Sequence, residues 1–255
     1  MTQTSHEALA RRARSGDRRA LAQIISLIEA GEAPPSPDSP RRGGLVVGLA
    51  GGVGAGKSTL AAALVRYLRQ QGKRVAVLAS DPSSPRTGGA LLGDRVRLRI
   101  DPRDEGVYFR SLATRGAAGG LSAAVAPARD WLLECGFDVV LVETVGVGQD
   151  QVAIRNIVDL LLVLITPHSG DEIQWEKAGL LELADLVVVN KSDLPGAEHV
   201  YQQVCRALSL GTQGPAVISV SALHGQGIAE LWAALIARQR DANQQTEGAS
   251  DSPAG

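Results

Sequence analysis

The chain has 255 residues, 44% of them hydrophobic and 21% charged, with a formal net charge of -1. That length suits one large α/β domain with short appendages, and the near-neutral balance gives no global field for nucleic acid or an anionic membrane. The two cysteines, Cys135 and Cys205, lie far apart in no metal or redox spacing, and they read as buried or idle thiols in a reducing compartment.

The N-terminus, MTQTSHEALARRARSGD, is polar and lacks the apolar core of a signal peptide. No apolar run reaches membrane-spanning length, since the longest, around Ile157–Pro167, is interrupted by Asp159. The protein is therefore expected in the cytoplasm, without a membrane or nucleic-acid partner. Residues 1–32 read as an N-terminal helical extension. Ser15-Gly16-Asp17 breaks it into two, and Leu21, Ile24, Ile25 and Ile28 form an apolar stripe at helical spacing. Residues 33–44 are too rich in Pro and Gly for a helix or central strand and form a linker. Residues 45–240 form the main domain. Residues 241–255, DANQQTEGASDSPAG, contain no apolar residue beyond alanine and are expected to be a disordered tail.

Within the main domain, seven short runs read as strands: Leu45–Ala50, Arg74–Ala79, Val107–Leu112, Asp138–Glu143, Leu160–Thr166, Leu186–Asn190 and Ala216–Val220. They are rich in Val, Ile and Leu without polar alternation, as in strands buried on both faces. Helical segments fit between most of them. The expected fold is α/β: a mostly parallel twisted sheet flanked by helices, with its ligand site beyond the carboxyl ends of the strands.

GGVGAGKST, Gly51–Thr59, directly follows the first run and matches the P-loop pattern through Gly51, Gly56, Lys57 and Ser58. The backbone N–H groups of Gly51, Gly52, Val53, Gly54, Ala55, Gly56, Lys57, Ser58 and Thr59 are expected to wrap an anion. The glycines keep Cβ atoms out of the way, and the following helix, Lys57–Gln71, presents its positive end. Lys57 supplies a mobile charge for β/γ-phosphate oxygens, and the Ser58 hydroxyl is a hard ligand suited to Mg²⁺. The expected class is a P-loop NTPase.

Asn190, Lys191, Ser192 and Asp193 form N-K-x-D at the end of an apolar run. A carboxylate at Asp193 can accept from both N1–H and the 2-amino group of guanine, whereas adenine offers an acceptor and a bare C–H. A site built for such donors rejects the wrong base by roughly 10⁴–10⁵-fold. Asn190 can tie this loop to the phosphate loop, and the Lys191 stem can cover the base. Ser221, Ala222 and Leu223, just past the last strand, are placed to offer backbone N–H groups to O6. The bound nucleotide is thus read as GTP or GDP.

Asp81, Asp94 and Glu143 fall at or after strand ends on the same side and are candidate Mg²⁺ partners with Ser58. Asp94 is also the candidate for a switch that closes on the γ-phosphate. Gly146 can give a backbone N–H to that phosphate, with Gly148 nearby to let the loop move. Lys57, Asp94, Glu143 and Gly146 make up the expected catalytic set. Gln149 and Asp94 are both open as the group orienting water. Arg86 and Arg95 are candidates for transition-state charge or for plain surface roles.

The runs VAVLASDPSSPRTGGALLGDRVR, FDVVLVETVGVGQ and SGDEIQWEKAGLLELADLVVVNKSDL resemble the MeaB/ArgK family of GTPases over about Leu45 to Arg238. Glu143 stands where most GTPases carry aspartate, as in that family. The resemblance implies a chaperone of an adenosylcobalamin-dependent acyl-CoA mutase, of the methylmalonyl-CoA or isobutyryl-CoA type, coupling GTP hydrolysis to cofactor loading and protection. It implies that Asp171–Lys177 is a further switch loop contacting the mutase. Trp175 departs from the pattern, standing where a small residue is expected, and is open as a contact anchor or a packing residue. The family's longer N-terminal region and its C-terminal dimerisation arm have no counterpart here, which leaves the oligomeric state open. The alternatives are a nickel-delivery metallochaperone GTPase, for which His6, His168, His199 and His224 are too scattered, and a kinase or ATPase, which Asp193 would serve poorly.

Overall fold

A computed structural model describes residues 3–32, 43–81, 103–113, 122–144, 150–167, 176–209 and 214–250. Two helices open the chain, α1 (Gln3–Arg14) and α2 (Arg18–Ala30). Then come β1 (Leu45–Gly51), α3 (Lys57–Gln70), β2 (Val75–Asp81), β3 (Val107–Ala113), α4 (Val125–Glu134) and β4 (Val139–Glu143). The rest is α5 (Asp150–Arg155), β5 (Leu160–Ile165), α6 (Glu176–Leu183), β6 (Leu186–Asn190), α7 (Ala197–Leu208), β7 (Ala216–Val220) and α8 (Ile228–Ser250).

All seven strands join one parallel sheet in the order β3-β2-β4-β1-β5-β6-β7. β1 sits at its centre, and the chain runs to opposite sides of it, first to β2 and later to β5. Its side chains alternate between the two faces. Leu45, Val47 and Leu49 pack with Leu60, Leu64 and Leu68 of α3 and with Leu231 and Leu235 of α8. Val46 and Ala50 pack on the other face with Trp131 and Leu132 of α4 and Ile154 of α5. A smaller cluster, Ile165, Val187, Val189, Val200 and Val204, lies under α7. Burial of such side chains contributes about 1.5–3 kcal/mol each and is the main force holding the layers together.

The N-terminal helices form part of this core. Asp17 caps α2 by accepting from the N–H groups of Arg19 and Ala20 at 2.9 and 3.1 Å. Gly31 ends the helix in the left-handed conformation. The predicted stripe turns inward: Leu21, Ile24 and Ile25 are buried in the cluster that holds Trp131 and Phe137, and Ile28 packs at its edge. Polar contacts fasten the pair. Arg18 donates to the carbonyls of Asp104 and Val107, Arg110 of β3 pairs with Glu29, and Arg14 pairs with Glu134 while lying 5.4 Å above the Trp131 ring. We expect Ile24→Ala to lower unfolding stability by about 2–5 kcal/mol in urea titration. A loss under 0.5 kcal/mol would mean that these helices are ornamental.

One expectation is corrected at the C-terminus. The 241–255 segment, read as a disordered tail, begins as helix: α8 continues past Arg240 to Ser250. Apolar residues are needed to dock a helix, not to extend one. Once its first turns are fixed by Ile228, Leu231 and Leu235, each further residue adds a hydrogen bond at little entropic cost. Ala242, Gln244, Gln245 and Glu247 are adequate helix formers, and proline enters only at Pro253. Among the described residues, no helix is long and apolar enough to cross a membrane.

Candidate functional site

The sheet brings the candidate residues to one rim. At the carboxyl end of β1 the chain enters the Gly51–Thr59 loop, and α3 starts at Lys57. Gly51 has φ +146°, and a Cβ there would meet the Leu164 carbonyl oxygen at 2.6 Å, so only glycine lets β1 leave the sheet beside β5. Gly56 at the helix N-cap gives no side-chain cap, which leaves the first N–H groups of α3 facing outward for an anion.

Lys57 is 7% exposed, and its Nζ donates to the carbonyls of Gly51 at 3.0 Å and Gly52 at 3.1 Å. The ammonium is thus folded back over the loop that it follows. Burial pushes its pKa down, and the nearby Glu143 carboxylate works in the opposite direction. Glu143 ends β4, level with Leu49 of β1 on one side and Ala79 of β2 on the other. The Ser58 hydroxyl donates to Glu143 Oε1 at 2.6 Å. Two hard oxygens from distant segments therefore meet beside the phosphate loop. That donor chemistry fits a small oxygen-seeking cation such as Mg²⁺. Among the described residues, no group of three or more His, Cys, Asp and Glu is placed to hold a metal ion.

A second arm of the site comes from β6 and β7. Asn190, 2% exposed, donates from Nδ2 to the Ala55 carbonyl at 2.9 Å and accepts at Oδ1 from Ala222 N–H at 3.2 Å. One amide thus holds the phosphate loop and the Ser221–Leu223 turn together. It stands so close to Gly56 that a Cβ there would lie 2.4 Å from Nδ2, and Gly56 also adopts φ +90°. Lys191 takes φ +60°, the one positive value outside glycine among the described residues. This kink turns the chain from β6 into the Asp193 turn. The Ser221 hydroxyl donates to Asp193 Oδ1, and this bond holds the Asp193 carboxyl below the usual carboxylate range, with His224 and Lys191 helping and burial opposing. Among the described residues, Val53 and Leu223 are the exposed large hydrophobic side chains, at 81% and 72%, and each rides on one of the two loops that Asn190 joins.

Several expected residues lie elsewhere. Asp81 ends β2, with its side chain outside what is described. Asp94, Gly146, Gly148, Gln149, Arg86, Arg95 and the Asp171–Trp175 stretch lie outside the described residues, while Glu176 and Lys177 open α6. The meeting of Ser58 and Glu143 agrees with their shared place around the expected metal ion, while two features escaped sequence reasoning: the Ser221 hydroxyl on Asp193 and the approach of His224. Sequence spacing carries no signal for either of them, because each joins segments brought together only by the sheet.

A parallel sheet whose central strand opens into this loop, joined through Asn190 to an Asn-Lys-Ser-Asp turn two strands away, defines a P-loop GTPase. The family described as methylmalonyl Co-A mutase-associated GTPase MeaB matches residues 38–252, and the chain belongs to it. It is 39% identical over 246 residues to the GTPase ArgK of Escherichia coli, covering 89% of this chain and 73% of that protein. It is 42% identical over 194 residues to a mouse protein named methylmalonic aciduria type A homolog, mitochondrial, covering 73% of this chain and 47% of that one. Among solved structures, one described as LAO/AO transport system kinase superposes with a TM-score of 0.73 at 29% identity, covering 97% of this chain and 82% of that chain. The nickel-bound HypB of Helicobacter pylori, at 18% identity and a TM-score of 0.59, shares the fold.

Proposed function

We propose that this GTPase acts in the cytoplasm as a chaperone of an adenosylcobalamin-dependent acyl-CoA mutase, spending GTP on loading and protecting its cofactor. The observation that carries the client is the match of residues 38–252 to a family described by its association with methylmalonyl-CoA mutase. The mouse relative, named for methylmalonic aciduria, points the same way.

In this reading, the N–H groups of Gly51–Thr59 cradle the phosphates. Lys57 swings from its two carbonyls to the β/γ oxygens. Ser58 and Glu143 would hold Mg²⁺, joined by Asp81 and Asp94, and the ion would neutralise charge developing on the phosphates. Gly146 contributes an N–H to the γ-phosphate. Asp193 takes the two guanine donors, the Lys191 stem covers the ring, and Ser221, Ala222 and Leu223 offer N–H groups to O6. Asn190 keeps base and phosphate loops at a fixed separation. The segment Asp171–Lys177 contacts the mutase.

The test is GTP hydrolysis by the purified protein, alone and with an adenosylcobalamin-dependent acyl-CoA mutase from the same source. Intrinsic rates of switch GTPases are slow and rise by about 10³–10⁵-fold when a partner completes the site. A mutase-dependent rise in turnover is expected. No rise together with no complex on gel filtration would overturn the client assignment.

A further inference from the structure

Two pinned turns face each other at the base end of the site. In the turn after β6, Ser192 N–H donates to the Val220 carbonyl at 3.1 Å and Leu194 N–H to that of Lys191 at 3.0 Å. In the turn after β7, His224 and Gln226 N–H both donate to the Ser221 carbonyl, at 3.2 and 3.1 Å, and Ser221 N–H donates to that of Gln226 at 3.1 Å. The backbones of Asp193, Ser221 and His224 are therefore held, and their side chains converge. Ser221 Oγ donates to Asp193 Oδ1, and His224 Nε2 stands 3.9 Å from Asp193 Oδ2.

An ionised carboxylate offers about four lone-pair positions, two on each oxygen. A guanine using N1–H and the 2-amino group fills one on each. Ser221 takes a position on Oδ1, the Asp193 backbone N–H also donates to the carboxylate, and Oδ2 faces His224. The geometry points to His224 as a positioning residue for guanine recognition: its Nε2–H closes onto Oδ2 when the base is seated and fixes the plane of the carboxylate. This rests on the assignment of Asp193 to guanine made above. The 3.9 Å gap exceeds a hydrogen bond by about 1 Å. The His224 side chain is 54% exposed and has room to close it. Hydrogen bonds at binding sites commonly tighten when the ligand arrives. The bond ties base reading to the turn that Asn190 already links to the phosphate loop.

The experiment is calorimetric titration of the full-length chain with GDP. His224→Ala is expected to weaken binding about 3–10-fold. His224→Gln, whose amide nitrogen reaches the Nε2 position, should restore affinity to within about 2-fold, whereas the shorter His224→Asn should behave like alanine. In an Asp193→Asn background titrated with XDP, His224→Ala should have no effect, because the carboxylate that it orients is gone. Unchanged GDP affinity in His224→Ala would show an exposed ion pair worth nothing and would overturn the inference. So would equal weakness of the Gln and Asn variants, or the same loss in the XDP background. Failure of the unmodified protein to prefer GDP over ADP is a different result: it would strike the base assignment itself.

Discussion

Lys57→Ala is expected to lose tight GTP binding, with affinity falling roughly 10²–10⁴-fold, equivalent to about 3–5 kcal/mol. The Lys57 ammonium is already out of water and donates to the Gly51 and Gly52 carbonyls. The fold itself buries this side chain, so phosphate gains a desolvated partner without a new penalty on the lysine. Alanine removes this cation and leaves the phosphates to the backbone N–H groups and the metal ion that Ser58 and Glu143 would hold. A titration with a fluorescent GTP analogue reads the loss directly, and micromolar affinity retained by the variant would contradict this account. Circular dichroism of the apo variant should be unchanged, because Lys57 sits at the start of α3 and the apolar contacts of that helix come from Leu60, Leu64 and Leu68.

Asp193→Asn is expected to change which base is bound rather than whether a nucleotide is bound. The carboxamide keeps one acceptor for N1–H and replaces the second with a donor, which opposes the 2-amino group of guanine and suits the 2-carbonyl of xanthine. GTP affinity should fall by about 10⁴-fold while XTP becomes competitive. Because the Ser221 hydroxyl holds the Asp193 carboxyl below its ordinary range, the carboxylate stays ionised through neutral and mildly acidic solution. GTP selectivity of the unmodified protein should therefore persist as pH falls from 8 towards 5. Unaltered GTP preference in the asparagine variant would remove Asp193 from base recognition.

Much of this architecture is visible in the chain. β6 falls where its Val-rich run places it, because a strand buried on both faces writes a continuous apolar segment, and β7 keeps the bounds of its own run although it is the edge strand and only Val220 is buried. β2 extends two residues further, through Ser80 and Asp81, where pairing with Leu112 and Ala113 of β3 continues irrespective of polarity. Hydrogen-bond register, which single-chain patterning does not encode, sets that end. α8 outran its apolar stripe for a related reason, since backbone bonding continues where side-chain burial stops. At the site, the residue types of the two loops were legible from motif and spacing. Their mutual geometry was legible only in part: the tie from Asn190 to the phosphate loop and the pairing of Ser58 with Glu143 were expected, whereas the Ser221 hydroxyl on Asp193, 28 positions away, was not. Local chemistry names candidates, and the sheet decides which of them touch.

The clamp between Arg14 and Glu134 spans 120 positions. During synthesis the first two helices leave the ribosome long before α4 exists. At roughly 5–20 residues per second, about 6–24 s separate the emergence of Arg14 from that of Glu134. Throughout that interval Leu21, Ile24 and Ile25 lack α4, whose Trp131 and Leu132 share their cluster. The nascent chain thus carries a partly covered apolar stripe, and the closing of this part of the core waits on residues more than a hundred positions further along.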